Sequence, residues 1–232
     1  YSGNTVVSTG TLMLAESGSI ANSAVISVLG SGTLTVTGRV DKTLAIGASQ
    51  VLTGDGIVRG VVTNKGTVAP GVTAGVLRVI GTYGQSGTLA IELGGLTPGV
   101  GGHDALVVVS NGVATLGGTL EVSLIEGFVP VLGNTFTVLT ATALSGTFDT
   151  TNLPTVPSIG WTVDYAANAV VLTAVEGGAT PTPYETWGAG YGLTGAYLYD
   201  QADPDNDGYA NLLEYAQGSN PTSDTSSVKL RS

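Results

Sequence analysis

The chain has 232 residues, of which 36 are Gly and only 10% are charged, with a formal net charge of −10. A 42% hydrophobic share lets a chain of this length bury a core, so low charge does not mean disorder. No Lys or Arg lies between Arg78 and Lys229, an interval that holds 14 of the 17 acids, and such a surface repels nucleic acid and anionic membrane while attracting cations.

There is no Cys. Together with abundant Gly, Thr and Ser and few Lys, this suits a secreted or bacterial cell-surface protein. No apolar run reaches the ~18 residues of a membrane helix. "YSGNTVVSTG" has neither the basic start nor the apolar core of a signal peptide, so a leader was removed or the chain is a piece of a longer protein.

The N-terminal part repeats loosely. "STGTLML" (8–14), "GSGTLTV" (30–36), "QSGTLAI" (85–91) and "LGGTLEV" (116–122) each set Gly-Thr-Leu before alternating apolar and polar residues. "NSAVISVLG" (22–30) and "QVLTGDGIVRGVVTNKGTVAPG" (50–71) add short runs with Gly or Asn-Lys-Gly at their corners. Short strands with polar corners, at a period near twenty, predict β-solenoid coils over 1–95, Val, Leu and Ile inward and Thr and Ser outward. A β-sandwich is the alternative, since its strands recur at about 8–12 residues.

After residue 95 the runs lengthen. "ALVVVSNGVATLGGTLEVSLIEGF" (105–128), "NTFTVLTATALSGTF" (134–148) and "GWTVDYAANAVVLTAV" (160–175) predict a β-rich cap over 96–176, with antiparallel strands and a hairpin turn at Ala167-Asn168. "EGGATPTP" marks a linker, 177–183. "TPYETW" then gives Thr182 as a helix cap, Pro183 at the first helical position and Glu185 completing a capping box. A small α-helical tail is expected over 184–224, and an extended end over 225–232. The fold class read from these elements is all-β, a solenoid with a β-rich cap, followed by that tail.

The tail holds the sharpest motif. Asp203-Pro204-Asp205-Asn206-Asp207-Gly208, then five residues and Glu214, has the pattern of a twelve-residue calcium loop. Asp203, Asp205 and Asp207 would each give a side-chain oxygen, Tyr209 its backbone carbonyl, Asn211 a contact through water and Glu214 two oxygens. Hard oxygen donors in this number suit Ca²⁺ better than Mg²⁺. A plain acidic turn before a helix explains one or two acids but neither Gly208 nor Glu214. "YANLLEYAQGSNP" (209–221) reads as the exit helix, stopped by Gly218. Only one such loop is present, so a structural ion that neutralises clustered carboxylates is expected rather than a sensor.

"YSGNTVVSTGTLML" (1–14) resembles the autotransporter-associated β-strand repeat of bacterial surface proteins. The segment from "SGTLAIELGG" through "LSGTF" (86–148) resembles the C-terminal part of such passenger-like β-helices. "DPDNDGYANLLEYAQGSNP" (203–221) is similar to dockerin and thrombospondin type 3 calcium loops. The resemblance covers nearly the whole chain and implies a right-handed parallel β-helix, exported and displayed or shed, serving adhesion, scaffolding or assembly more often than catalysis. It departs from the family pattern in that no outer-membrane barrel follows, which would need about eight or more further strands. Both ends look cut, or look like open ends that meet another chain.

Catalysis is weighed and set aside. Residues 1–176 hold ten scattered acids and five Lys or Arg, and the sole His, His103, lies beside Asp104 in a Gly-rich loop without a partner motif. No nucleophile elbow, phosphate loop or zinc spacing appears. A carbohydrate-binding module or adhesin is the second reading, because Tyr184, Trp187, Tyr191, Tyr197 and Tyr199 gather in the tail; packing of that tail is the plainer account of them. The preferred expectation is a non-catalytic extracellular structural protein that assembles end to end with copies of itself or a longer relative.

Overall fold

A computed structural model describes residues 3–110, 112–177, 182–193, 197 and 200–224. It divides into two compact units, Tyr1–Gly177 and Gly178–Ser232.

The first unit is built from short strands. It opens with β1 (Thr5–Val7) and β2 (Thr11–Glu16). Triplets follow: β3 (Val25–Val28), β4 (Thr33–Arg39) and β5 (Thr43–Ile46), then β6 (Val51–Gly54), β7 (Ile57–Arg59) and β8 (Val61–Asn64). The next are β9 (Thr67–Pro70), β10 (Val76–Ile80) and β11 (Tyr83–Gln85), then β12 (Thr88–Leu93), β13 (Ala105–Val109) and β14 (Val113–Thr115). A last triplet, β15 (Thr119–Leu124), β16 (Thr135–Thr140) and β17 (Ala143–Ser145), precedes β18 (Thr150–Asn152), β19 (Ile159–Tyr165) and β20 (Ala169–Glu176).

Each triplet sends one strand to each of three sheets. The first sheet runs β1-β3-β6-β9-β12-β15-β18, the second β19-β20-β16-β13-β10-β7-β4-β2, and the third β17-β14-β11-β8-β5. Pairing is parallel except around β20, which lies antiparallel to both β16 and β19. The 96–176 segment thus holds both kinds of pairing. The hairpin predicted at Ala167-Asn168 is present, with Ala166 N–H donating to Ala169 O at 2.9 Å.

Alternation in sequence becomes ladders in space. Ile26, Leu52, Val68, Leu89 and Leu120 face one another across the first sheet, and all five are fully buried. Leu34, Val58, Val79 and Val108 do the same in the second sheet. In the third, Tyr83 lies between Val62 and Ala114, the small Ala leaving room for the ring. Each fully buried aliphatic stabilises the fold by about 1.5–3 kcal/mol before the entropy of ordering it is subtracted.

The corners depend on Gly. Thr88 N–H donates to Gly66 O at 2.7 Å, and Thr119 N–H to Gly87 O at 2.8 Å, so successive corners meet backbone to backbone. A Cβ on Gly87 would overlap Gly66 O, and one on Gly118 would overlap Gly87 O. Just inside this corner Asn64 Nδ2 donates to Gln85 Oε1 at 2.9 Å, and Tyr83 Oη donates to the same oxygen, so the buried polar groups of two triplets satisfy each other.

Two Gly residues three positions apart should respond oppositely. Gly84, in the middle of β11, faces open space, with the nearest atoms to a Cβ at 4.0 Å. Gly84→Thr extends the Thr63–Thr115 ladder and is expected to stabilise the first unit by about 0.5–1 kcal/mol. Gly87→Ala is expected to cost about 1–3 kcal/mol through overpacking. Urea unfolding followed by circular dichroism separates them, and equal midpoints would remove the corner argument.

Candidate metal centre

The second unit begins with α1 (Pro183–Gly190). Its capping box is formed: Glu185 N–H donates to Thr182 Oγ1 at 3.1 Å, and Thr182 N–H to Glu185 Oε2 at 2.7 Å. The Thr182 N–H, and behind it the Thr182 side chain, hold the Glu185 carboxyl below its usual range. Trp187 is the hub of a ring cluster, stacked on Tyr184 at 5.7 Å and edge-on to Tyr191 and Tyr215, both at 5.5 Å. The aromatic side chains suggested as a sugar platform therefore pack mainly on one another. Tyr197 is 63% exposed. Tyr199, most of the linker and the 225–232 end lie outside the described residues.

The acidic loop is organised by its own amides. Gly208 N–H donates to Asp203 Oδ2 at 3.0 Å, Tyr209 N–H to Asp207 Oδ1 at 2.9 Å, and Asp207 N–H to Asp205 Oδ1 at 3.4 Å. Asn206 (φ 60°) and Gly208 (φ 92°) take left-handed conformations that fold the loop back on itself. Each Asp thereby commits one oxygen to the backbone. The other oxygens, Asp203 Oδ1, Asp205 Oδ2 and Asp207 Oδ2, are shielded from solvent and have no hydrogen-bond partner.

One oxygen from each of the three Asp residues lies within 4.8 Å of the others. Such an array costs free energy as it stands. Burial, and behind it the charges of Asp207 and Asp203, raises the Asp205 carboxyl above its usual range. The donors are all oxygen and mutually repelling, so the residues fit a hard divalent cation.

The remaining predicted ligands start the next helix, α2 (Asn211–Gln217). Asn211 is fully buried; its N–H donates to Ala202 O at 2.8 Å and its Nδ2 to Tyr197 O at 2.7 Å. Glu214 is also fully buried, lies outside the three-Asp group, and accepts from Ser219 Oγ at 3.2 Å through Oε1. Tyr209 is exposed. Gly218 ends α2 in the left-handed conformation (φ 70°), as its sequence predicts.

In the first unit the His103–Asp104 pair is a loop staple. His103 is 1% exposed, its ring edge-on to Phe136 with centroids 5.5 Å apart. Asp104 is also 1% exposed; Gly75 N–H donates to its Oδ1 at 2.8 Å and Glu92 N–H to its Oδ2 at 2.9 Å. It floors a cavity of about 230 Å³ that Glu92 and Glu121 also line. Both Asp104 oxygens serve the backbone, so this carboxyl ties two connections together. In the sequence Asp104 stands only beside His103 in a Gly-rich loop, and its one structural signal is a carboxylate next to an apolar run.

No family model and no curated protein matches the chain. Among the described residues no helix is long and apolar enough to cross a membrane.

Burial pushes the Asp104 carboxyl up to about 7, against its two amide donors and with the Glu92 charge adding to the rise. In the unfolded chain it ionises near 3.8, so between about 4 and 7 the folded chain holds a proton that the unfolded chain releases. This contribution to stability grows as pH falls from about 7 toward 4. His103, whose burial lowers its proton affinity, acts in the opposite direction. Relative to Asp104→Asn, the wild-type chain should therefore gain stability across that window, as read by urea midpoints at a series of pH values; parallel curves would refute the assignment.

Proposed function

We propose that the first unit is a right-handed parallel β-solenoid with three faces. On this reading the chain is a non-catalytic structural element of an exported bacterial surface protein, akin to the autotransporter-type repeats it resembles. The observation that carries this reading is the register. Every triplet repeats the same visit to three sheets, and inward Leu, Ile and Val continue from one triplet to the next. A stack of this kind is a spacer whose length scales with the number of coils.

Ca²⁺ is the ion proposed for the tail. Asp203, Asp205 and Asp207 would hold it through their three unpartnered oxygens, with Tyr209 carbonyl, Asn211 through water and Glu214 completing the set. The ion would neutralise three carboxylates and fix the loop that leads into α2, which packs Tyr215 on the Trp187 cluster. Its role is to fold a segment with little apolar core of its own.

Catalysis is disfavoured because the cavity lined by Glu92 and Glu121 uses its buried Asp104 for backbone support. Assembly is the function proposed for the unit. The second sheet ends in β19, which is antiparallel to β20 and so runs in the direction of β16, leaving a strand edge at that end of the sheet.

Limited chymotrypsin digestion and electron microscopy of the whole chain, each with Ca²⁺ and with a chelator, test the two parts. Ca²⁺ is expected to slow cleavage at Tyr184, Trp187 and Tyr215 by about tenfold or more, while a fragment ending near residue 177 survives in both conditions. Asp203→Asn with Asp207→Asn should abolish the protection. Equal cleavage with and without Ca²⁺ would remove the ion from the proposal. Single particles under every condition would remove assembly.

A further inference from the structure

The outward faces of the three sheets differ in chemistry. On the second sheet, Ile57 and Ile80 stand half-exposed beside two exposed arginines, Arg59 and Arg78. Arg78 pairs across strands with Ile57 and Val107, and Arg59 with Thr35 and Ile80. Arg39, on the same sheet, is neutralised by Asp41 at 2.9 Å and donates to Gly18 O. Among the described residues no carboxylate lies within ion-pair distance of Arg59 or Arg78. Two free guanidinium groups set among half-exposed aliphatics are a surface that favours an acidic, partly apolar partner.

The first sheet presents the complement. Glu121 on β15 pairs with Ala90 on β12, and Glu92 lies two residues further along β12. Arg59 on β7 pairs with Ile80 on β10, and Arg78 lies two residues away along β10. Both pairs are thus separated by one strand spacing and two residues, about 8 Å between Cα atoms. Beside the two Glu residues the face is cut back to Ala69 and Ala90, leaving the cavity of about 230 Å³ walled by Thr53, Val72 and Ser123. Among the described residues no Lys or Arg lies on the strands of this sheet.

We propose that the Arg59–Arg78 face of one copy docks on the Glu92–Glu121 face of a second copy, with Ile57 and Ile80 set toward the cavity. The inference rests on the structural-scaffold reading and names the contact through which the scaffold assembles. Charge runs the same way along the unit. All five Lys and Arg of residues 1–177 precede residue 79, and seven of its ten acids follow it. Copies staggered side by side bring the basic part of one beside the acidic part of the next. The two faces are different patches, so the contact is heterologous and each copy leaves one of each open, which propagates a chain of copies.

Sedimentation velocity of the full chain tests it, in about 20 mM and about 500 mM salt, where the screening length is about 20 Å and about 4 Å. The wild-type chain is expected to sediment as dimers and larger species in low salt and as a monomer in high salt. Arg59→Glu with Arg78→Glu, and separately Glu92→Lys with Glu121→Lys, should each be monomeric in low salt, and an equimolar mixture of the two variants should associate again. Circular dichroism checks that both fold; Arg59→Gln with Arg78→Gln, which adds no new charge, should also be monomeric and serves if reversal disrupts folding. A wild-type monomer in low salt overturns the proposal. Wild-type association that survives both Arg variants overturns the face assignment while leaving assembly as such intact.

Discussion

Everything in the first unit depends on how closely one corner of the chain can approach the next. Thr88 and Thr119 donate to the carbonyls of Gly66 and Gly87, contacts that close only because nothing projects from the glycines between them. That approach brings the flanking strands to pairing distance, and pairing fixes which side chains face inward. The inward ladders then supply burial, and the outward residues are left free to differ from face to face. The same close approach recurs where a Cβ on Gly32 would meet Val7 O, on Gly66 would meet Gly47 O and on Gly112 would meet Gly81 O.

The sequence was legible where one residue type does one job. Alternating Leu, Val and Ile marked the inward faces, and Gly-Thr-Leu marked strand starts. The four copies of that motif nevertheless fall on two different sheets, β2 and β4 on one, β12 and β15 on another. The motif records a Gly corner followed by an inward Leu, which any side of a triplet can use. The period was less legible because corner loops vary. Val51 pairs with Thr67, 16 residues on, whereas Thr88 pairs with Thr119, 31 residues on. The loop carrying His103 and Asp104 accounts for part of that length, and its buried carboxylate is a tertiary feature that spacing does not reveal.

In the tail, the local pattern located the three-Asp group. Asp203, Asp205, Asp207 and Gly208 are close in sequence, and the loop folds through hydrogen bonds spanning two to five residues. What the pattern did not show is the division of labour within each carboxylate, one oxygen to the backbone and one shielded from solvent without a hydrogen-bond partner. The plainer reading of the tail's aromatic residues is the one the structure bears out: Trp187 packs on Tyr184, Tyr191 and Tyr215, which removes most of the platform a sugar would need.

Face chemistry is the level at which single-sequence reading gives out. Arg59 and Arg78 are unremarkable in a list of charges, nineteen positions apart. Parallel pairing puts them on neighbouring strands, and the same rule puts Glu92 and Glu121 on neighbouring strands of another sheet with the same offset. On the second sheet these arginines stand beside Ile57, Ile80 and Val107, all partly exposed. Two faces of opposite charge that share one offset are what the proposed side-by-side contact uses.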